Sequence, residues 1–406
     1  MIRLHVFVTL PGGESVLAGD LVVADPDDRG ALTGQFRYSG EFLGHPEAFP
    51  LDPLRLPLAE GIFDANRPQA GVHGAFEDSL PDDWGRRILV RRYRLGRTEQ
   101  RVPNLLRVLG AKGLGALSFS DADVLPSVRP QGVASRHLVD LLRLAETFER
   151  SEAGADEELA LLFQAGSSPG GARPKVVVEE SGQAWLAKFP SVRDRVDVVR
   201  LEAATMALAG RAGVDVAPTR LEPCGIRDIL LVERFDVTPA GGRNHVVSMQ
   251  TLLGADGHYS SSYRDLAEVV RRISAAPGAD LLKLYRQMLF HAVIGNTDDH
   301  LKNFCMLHGA TGWRLSPAFD ILPNIGGNRE HVLRMGNDYL APGRAVLLAE
   351  AKFFGVKRTA RAAELIDETM EVVRGWRTLF AEIGVPDADC QVLAPDIEGR
   401  LARISG

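Results

Sequence analysis

The chain has 406 residues, 45% hydrophobic and 25% charged, which is the composition of a globular protein with two or three domains. Its 47 lysine and arginine residues stand against 53 aspartate and glutamate residues, and the net charge of −6 excludes nucleic-acid binding by the charge of the whole chain. Three widely spaced cysteines form neither a disulfide framework nor a zinc pattern, and no segment approaches the roughly 18 uncharged apolar residues that span a bilayer. We therefore expect a cytoplasmic protein.

The N-terminal third predicts a β-rich unit followed by helices. Residues 1–60 contain short alternating apolar runs separated by Gly and Pro turns, which is typical of β-strands. Residues 76–95 and 137–164 space their apolar side chains as helices do. Between these two segments, the Gly-rich connector 109–119 ends in a strand-like run, so we expect one more strand there.

The middle of the chain predicts a loop, a β-hairpin, a helix and a strand, in that order. The loop 164–175 has small residues and two prolines, which exclude a continuous helix or strand. Two β-like runs around a Ser-Gly turn predict a hairpin over 175–189. An amphipathic helix follows over 198–213 and ends at a glycine, and residues 229–236 are typical of a buried strand.

Helical spacing dominates from about residue 240 onward and is broken only around 303–320. Within this region, Asp280 is the predicted N-cap of a buried helix that ends at Gly295. The residues after that helix are polar, and the end of a packed helix would fix their position.

These polar residues are the stretch GNTDDHLKNF, residues 295–304. A solvated turn would explain such a stretch by itself. Four residues separate Asp298 from Asn303, however, and a predicted hairpin then leads to Asp320 at the end of its second strand. Phosphoryl transfer uses this set, because one carboxylate accepts a hydroxyl proton while an amide oxygen and a second carboxylate hold magnesium ions. The spacing agrees with that of protein kinases, although the chain has no HRD or DFG sequence.

Residues upstream would supply the other groups that such a site requires. Lys188, at the end of the predicted hairpin, would neutralise nucleotide phosphates, and Glu202 on the next helix would orient it. The backbone of Glu233 and Phe235 would meet the adenine. The loop SSPGGARPK, residues 167–175, offers backbone N–H groups to phosphate, although it is neither GxGxxG nor a Walker A motif.

At these positions the chain resembles the HipA-like serine/threonine kinases, the toxins of bacterial toxin–antitoxin pairs. The resemblance rests on SSPGGARPK, LAKFP, VERFD, GNTDDHLKN and SPAFDILP, and it extends to FEDSLPDDWGRR and GLGALSF near the N-terminus. It covers essentially the whole chain and implies an α+β, protein-kinase-like fold with two lobes. The implied domains are a β-rich N-terminal subdomain over 1–120, a kinase-like N-lobe over 121–238 and a helical C-lobe over 239–406.

The resemblance also implies a site for ATP and Mg²⁺. Asp298 would be the catalytic base, with Asn303 and Asp320 as the magnesium ligands. The implied nucleotide-binding residues, which lie in the Gly-rich loop, on the hairpin and at the hinge, are Gly171, Ala172, Lys175, Lys188, Glu233 and Phe235.

Two assignments keep a rival. Ser168 matches the position at which family members phosphorylate themselves and become inactive, but Ser167 stands beside it. A phosphorylated serine there would carry nearly two negative charges. Asp299 is a rival to Asp298 as the base, although only Asp298 has the expected offset from Asn303.

The resemblance implies a toxin that arrests growth by phosphorylating a translation-related protein such as an aminoacyl-tRNA synthetase, and that pairs with a HipB-like helix-turn-helix antitoxin. Three alternatives stay open: an inactive kinase-fold co-repressor that acts on DNA with such an antitoxin, a small-molecule phosphotransferase, and a metal-dependent hydrolase around His300. The histidines lack the spacing of HExxH, which argues against the last one.

A basic run, residues 86–107, has eight arginines against a single glutamate. Such a run is most often a solvated helix face. Its functional reading is contact with DNA or with an acidic partner, although the run contains no DNA-reading motif.

Overall fold

The computed structural model describes residues 1–67, 69–125, 133–151, 161–162, 165, 173–255 and 261–406. The chain forms two compact units, each built from separate stretches. The first unit comprises Met1–Val192, Leu231–Val247 and Leu307–Ala310, and the second comprises Arg193–Leu230, Ser248–Met306 and Thr311–Gly406. Among the described residues, no helix is long and apolar enough to cross a membrane.

The first unit begins with an antiparallel sheet, which confirms the predicted β-rich start. Its strands are β1 (Ile2–Thr9), β2 (Ser15–Val23), β3 (Gly34–Tyr38), β4 (Phe63–Asp64) and β5 (Leu117–Ser120). Their order is β4-β3-β2-β1-β5, with a register shift in β1 between Val6 and Phe7. Alternate residues of β2 and β3 are buried, as expected for strands that cover a core on one face.

Short helices accompany this sheet: α1 (Gly40–Leu43), α2 (Gly74–Glu77), α3 (Asp83–Arg92) and α4 (Val102–Leu109). The continuous helix expected over 76–95 is therefore wrong. Pro81 stands between α2 and α3, and proline disfavours the helical conformation of the residue before it.

A second sheet has the strand order β6-β7-β8-β10-β9. Its strands are β6 (Val133–Ala134), β7 (Lys175–Glu180), β8 (Gln183–Lys188), β9 (Thr219–Cys224) and β10 (Arg227–Glu233), and α5 (Leu138–Ser151) follows β6 in sequence. The predicted hairpin is confirmed as β7 and β8. Its turn residues Ser181 and Gly182 both have positive φ, which is the conformation of a two-residue hairpin turn that matches the right-handed twist of the strands. The predicted strand over 229–236 ends at Glu233.

The second unit is mostly helical. Its helices are α6 (Val198–Arg211), α7 (Met249–Leu253), α8 (Tyr263–Ile273), α9 (Pro277–Ile294), α10 (Arg344–Glu350), α11 (Thr359–Arg374), α12 (Trp376–Ile383) and α13 (Asp387–Ser405). Three short strands, β11 (His245–Ser248), β12 (Cys305–Gly309) and β13 (Gly312–Leu315), complete the list for this part of the chain, and most of β11 and of β12 belongs to the first unit.

Helix α9 forms the core of this unit, and twelve of its 18 residues are buried. It starts at Pro277, so the predicted N-cap at Asp280 is wrong. The Asp280 carboxylate instead accepts hydrogen bonds from Arg314 and Ser274, which hold it within the first turn. The predicted end is confirmed, because Gly295 has a φ of +82° and its N–H donates to His291.

One further part of the C-terminal prediction is wrong. Residues 330–340 form an antiparallel hairpin of β14 (Glu330–Met335) and β15 (Asp338–Leu340), where helical spacing was expected. In β14 alternate residues are buried, which is the period of a strand. The predicted division into three domains at residues 120 and 238 stays a prediction.

Candidate active site

The 295–304 loop starts at the end of α9, where the backbone is fixed by two hydrogen bonds. The N–H groups of Gly295 and Asn296 donate to the carbonyl of His291 at 3.0 and 3.1 Å. Glycine adopts the left-handed conformation at such a helix end without steric cost. The helix therefore fixes the direction in which the loop leaves it.

The two adjacent aspartates of the loop lie in opposite environments. Asp298 is exposed, whereas Asp299 is fully buried. The Asp299 Oδ2 atom accepts from the Tyr263 hydroxyl at 2.8 Å and from His331 Nδ1 at 3.2 Å. Its Oδ1 atom accepts from the backbone N–H groups of residues 332 and 333 at 2.8 and 3.3 Å. Burial raises the pKa of this carboxyl group, but the hydrogen-bond donors that face it hold the pKa below its ordinary value.

Asn303 ends the loop in a 3-10 turn, Leu301–Asn303, and its side chain is nearly buried. Its amide nitrogen donates to the backbone carbonyl of Asp298 at 3.1 Å. This bond fixes the position of Asp298 and assigns the orientation of the amide. The amide oxygen, which is the atom that binds a cation, is then at the other end of the group.

Asp320 follows an extended segment instead of standing at a strand end as predicted, because β13 ends at Leu315. Ala318 pairs with the segment before β9, where its N–H donates to Asp215 and its carbonyl accepts from Ala217. Asp320 itself has a φ of +57°. A non-glycine residue in this region carries backbone strain, and such strain collects at functional sites.

The chemistry of these groups fits magnesium. Mg²⁺ prefers hard oxygen ligands, and it is usually held by one or two carboxylates together with phosphate oxygens and water. The Asp320 carboxylate and the Asn303 amide oxygen are such ligands. Among the described residues, no group of three or more His, Cys, Asp or Glu side chains forms a metal site, and this includes the surroundings of His300.

The predicted phosphate lysines lie opposite each other in the first unit. Lys175 on β7 and Lys188 on β8 are direct cross-strand partners, and their exposed fractions are 3% and 8%. Side chains of directly opposed residues point to the same face of a sheet. The Lys175 carbonyl also accepts from the Trp84 indole N–H at 3.0 Å, which fixes the start of β7.

The predicted hinge residues follow on the same unit. Glu233 and Phe235 are half-buried; Glu233 accepts from Gln183 at 3.1 Å, and the Phe235 carbonyl accepts from Asn244 at 3.0 Å. Asp236, which sequence reasoning did not single out, is fully buried between two arginines.

The remaining predicted residues are distributed as follows. Glu202 is buried on α6 in the second unit, and its pairing with Lys188 stays a prediction. The Gly-rich-loop residues Ser167, Ser168, Gly171 and Ala172 lie outside the described residues.

Part of the basic run contributes to packing. Arg86 donates to the Pro81 carbonyl at 2.9 Å, and Arg87 lies over the rings of Trp84 and Phe148. Such arginines stabilise the unit through their stems and cation–π contacts. The role of the run as a contact surface stays a prediction.

The 295–304 loop also contacts groups that the sequence did not reveal. They are Tyr263 on α8 and His331 on β14, which bind Asp299, and His331 is in turn bound by Arg400 on α13; all three are buried. In the sequence these three residues are ordinary polar side chains within helical or strand-like segments, and a single sequence does not show whether such positions are buried or exposed.

Comparison with known proteins assigns the family. Residues 167–376, more than half of the chain, match the HipA-like C-terminal domain, and residues 16–120 match the HipA N-terminal domain. The chain belongs to the HipA-like family. The first match contains the 295–304 loop and the lysine hairpin, so both candidate parts of the site lie in the family's C-terminal domain.

Two relatives come from Sinorhizobium fredii. The chain is 27% identical to a protein named "Putative kinase Y4mE", over 93% of this chain and 97% of the relative. A second relative, named "Putative kinase Y4dM", is 30% identical over 37% of this chain and 40% of its own length. Family and relatives together support a toxin- and kinase-like function.

A solved structure shows the fold. The chain resembles HipA of Shewanella oneidensis MR-1, in a complex with HipB and operator DNA, with a TM-score of 0.69 at 17% identity. The likeness covers 98% of this chain and 96% of that one. This HipA-like chain therefore has the expected α+β, kinase-like fold.

Proposed function

We propose that the protein is an ATP- and Mg²⁺-dependent serine/threonine kinase that acts as the toxin of a HipA/HipB-like pair. The observation that carries this proposal is the construction of the 295–304 loop. Asp298 is exposed, and its backbone carbonyl accepts a hydrogen bond from the side-chain amide of Asn303. Asp320 has a left-handed backbone conformation. Asp298, Asn303 and Asp320 thus have the sequence spacing of a kinase site, and the structure holds the backbone at each of them in one conformation.

In this proposal, Asp298 accepts the proton of the attacking hydroxyl group. Its exposure suits that role, because the substrate hydroxyl must reach it. Asn303 and Asp320 hold the magnesium, which neutralises charge on the transferring phosphoryl group when it is bound. The buried Asp299 is the weaker candidate for the base, because its carboxylate oxygens already accept hydrogen bonds from Tyr263, from His331 and from two backbone N–H groups.

The lysine pair supports the binding of a nucleotide. Lys175 and Lys188 are directly opposite each other on neighbouring strands, so their side chains leave the sheet on the same face. An ammonium group attracts phosphate oxygens, and the attraction is stronger where the local dielectric is low. We therefore assign the α- and β-phosphates of ATP to this place.

Partner and substrate follow from the family. The Shewanella protein was solved with HipB and operator DNA, and we propose a HipB-like antitoxin as the partner of this chain, with any DNA contact indirect or through the 86–107 run. We propose a translation-related substrate, such as an aminoacyl-tRNA synthetase, on the family resemblance alone.

The test is phosphate incorporation from Mg-ATP, measured by intact mass and phosphopeptide analysis. Wild type, Asp298→Ala and Asp320→Ala are compared with Asp387→Ala, in which an exposed aspartate of the same unit is removed. We expect one phosphate in wild type and in Asp387→Ala, and none in the other two variants. Incorporation by Asp298→Ala would contradict the proposal.

The site of incorporation is tested separately. Ser168→Ala and Ser167→Ala proteins are incubated in the same way, and we expect loss of phosphate only in Ser168→Ala. A phosphoserine on the 164–175 peptide that persists in Ser168→Ala and disappears in Ser167→Ala would reverse the assignment.

Two outcomes distinguish the alternatives. A protein that binds ATP with no transfer to itself or to candidate proteins, and that represses an operator together with an antitoxin, is a co-repressor. Transfer to a small molecule without transfer to protein identifies a small-molecule phosphotransferase. His300→Ala is expected to retain ATP turnover, and its loss would favour the hydrolase.

A further inference from the structure

The hydrogen bonds around Asp299 can be assigned proton by proton, beginning with Arg400. Arg400 Nη1 lies 2.9 Å from His331 Nε2. A guanidinium group only donates, so Nε2 must be the acceptor and the ring carries its proton on Nδ1. That proton points to the Asp299 Oδ2 atom, 3.2 Å away. The imidazole of His331 is therefore neutral, and it links Arg400 to the carboxylate.

The other side of the carboxylate is assigned in the same way. Tyr263 has a single hydroxyl proton, which it donates to Asp299 Oδ2 at 2.8 Å. His291 Nδ1 lies 2.9 Å from the same hydroxyl oxygen and must therefore donate to it. The remaining ring nitrogen, Nε2, then accepts from the Asn296 amide at 3.4 Å. Burial lowers the pKa of His291 to about 4, so the neutral ring that this pattern needs is the form present at pH 7.

These bonds form a closed circuit around the loop. Asn296 and Asp299 both belong to the 295–304 loop, and they are joined through His291 of α9 and Tyr263 of α8. Tyr263, His291 and Asp299 are each at most 1% exposed, so water does not replace these bonds. Asp298 lies within the four-residue segment 296–299, and the circuit holds both ends of that segment.

The C-terminal helix α13 supports the same loop at two points. Arg400, which is 3% exposed, donates to His331 and also to the carbonyl of Ala292 at the end of α9. A Cβ atom at Gly295 would overlap the Asp396 carboxylate and lie 2.8 Å from Arg400 Nε. Residues near the end of the chain therefore contact the start of the loop and fix the partner of Asp299.

We propose that Asp299 is a positioning residue for Asp298, and that Arg400 fixes Asp299 through His331. The inference rests on the proposed function, because it assigns to Asp298 the role of the base. The Asp299 carboxylate accepts hydrogen bonds from four donors of fixed direction, which hold the adjacent backbone of Asp298 in one conformation. A misplacement of about 1 Å at a catalytic group can lower the rate on the order of 100-fold. Arg400 thus supports the transfer site from the C-terminal helix, although it contributes no group to the chemistry.

The kinetic test uses three substitutions on α13. Arg400→Met removes the donor to His331, Arg400→Lys retains a cationic donor, and Arg403→Met removes an exposed arginine of the same helix as the control. The measurement is the rate of phosphoryl transfer from Mg-ATP, to the chain itself or to water, as a function of ATP concentration. We expect Arg400→Met to lose about 10- to 100-fold in maximal rate with the KM for ATP unchanged. Arg400→Lys should recover part of the rate, and Arg403→Met should match wild type.

A second measurement does not depend on activity. Imidazole ¹⁵N spectra of the wild-type chain report which ring nitrogen carries the proton. We expect His331 and His291 to be neutral at pH 7 with the proton on Nδ1. An imidazolium, or a proton on Nε2 of His331, would overturn the proposed circuit.

The outcomes separate this inference from the proposed function. Transfer that is absent in Asp298→Ala but wild-type-like in a folded Arg400→Met protein would leave the kinase proposal standing and overturn the positioning role. Absence of transfer in wild type would overturn the kinase proposal and the positioning role together, and the spectrum would still decide the circuit. If Arg400→Met does not fold, Tyr263→Phe, which keeps the ring and removes one donor, carries the same kinetic expectation.

Discussion

Two of the buried aspartates, Asp236 in the first unit and Asp299 in the second, have their carboxylates satisfied in different ways. Asp236 contacts two guanidinium groups, with Arg234 Nη2 at 2.6 Å and Arg243 Nη1 at 3.2 Å. Burial raises the pKa of Asp236, but the two arginines hold it below its ordinary value. The described donors to Asp299 are a hydroxyl, a neutral imidazole and two backbone N–H groups, and Arg400 contacts the imidazole of His331.

The difference shows what each arrangement is suited to do. The two guanidinium groups carry the opposite charge and offset the cost of burying the Asp236 carboxylate, and Arg234 binds it through two parallel hydrogen bonds. A neutral donor has one proton and one line of approach, so a set of such donors specifies a geometry. We infer that Asp236 holds a fold together, whereas Asp299 holds a loop in one conformation.

The largest expected effect is on stability at Asp236. Asp236→Asn leaves Arg234 and Arg243 buried without their counter-charge, and we expect a loss of about 3–5 kcal/mol in the free energy of unfolding. The control is Asp367→Asn, which breaks the exposed pair with Arg344 and should cost at most about 1 kcal/mol. Urea unfolding measures both. Equal losses would show that the buried cluster contributes no more than a surface pair.

The next largest effect is the loss of folding stability at acid pH. The pKa of His291 is lowered from 6.5 to about 4 by burial, so between these values the unfolded chain binds a proton that the folded chain does not. The stabilisation is therefore complete above pH 6.5 and is lost as the pH falls toward 4, by up to about 3 kcal/mol. Asp236, with its lowered pKa, loses its contribution only below its ordinary value of 3.8.

The measurement is the free energy of unfolding from pH 7 to pH 4 in wild type and in His291→Gln. We expect a shallower slope in the variant. It should not be flat, because the pKa of His245 in the first unit is also lowered to about 4 by burial. An unchanged slope in His291→Gln would contradict the neutral ring on which the Asp299 circuit depends.

The smallest expected effect is the difference in stability between alanine substitutions at two glycines that have the same backbone conformation. Gly295 and Gly384 have φ values of +82° and +85°, and each ends a helix. A Cβ at Gly384 would lie 3.8 Å from its nearest neighbour, whereas a Cβ at Gly295 would overlap Asp396. Alanine at either position costs about 1–2 kcal/mol for the left-handed backbone. We expect Gly295→Ala to cost about 1–3 kcal/mol more, because the new atom also overpacks the contact with α13.

Thermal or urea unfolding gives this difference, and the transfer rate gives its functional consequence. We expect Gly295→Ala to lower the rate and Gly384→Ala to leave it unchanged. Equal rates in the two variants would show that α13 does not act on the loop.

The parts of the site that are close in sequence were predictable. The end of α9 at Gly295, the loop after it and the hairpin before Asp320 follow from residues within about one element of each other. Local patterns also gave the lysine hairpin, whose Ser-Gly turn has the expected positive φ values.

The support of the site was not predictable. His331 and Arg400 are 69 residues apart; an arginine alone is typical of a surface position, and a histidine alone indicates neither surface nor core. Their burial depends on tertiary contacts, which also placed β14 where helical spacing dominated. Asp280 shows the same limit, since its bond to Arg314, 34 residues later, replaced the N-cap that local chemistry predicted.

We assign separate roles to the adjacent Asp298 and Asp299, and phosphoryl transfer by Asp298→Ala and Asp299→Asn tests this assignment. Both proteins are incubated with Mg-ATP after their folding has been verified by urea unfolding. We predict no transfer in Asp298→Ala at wild-type stability, and slow transfer in Asp299→Asn at reduced stability. Transfer by Asp298→Ala, together with complete loss in a stable Asp299→Asn protein, would contradict the account and make Asp299 the base.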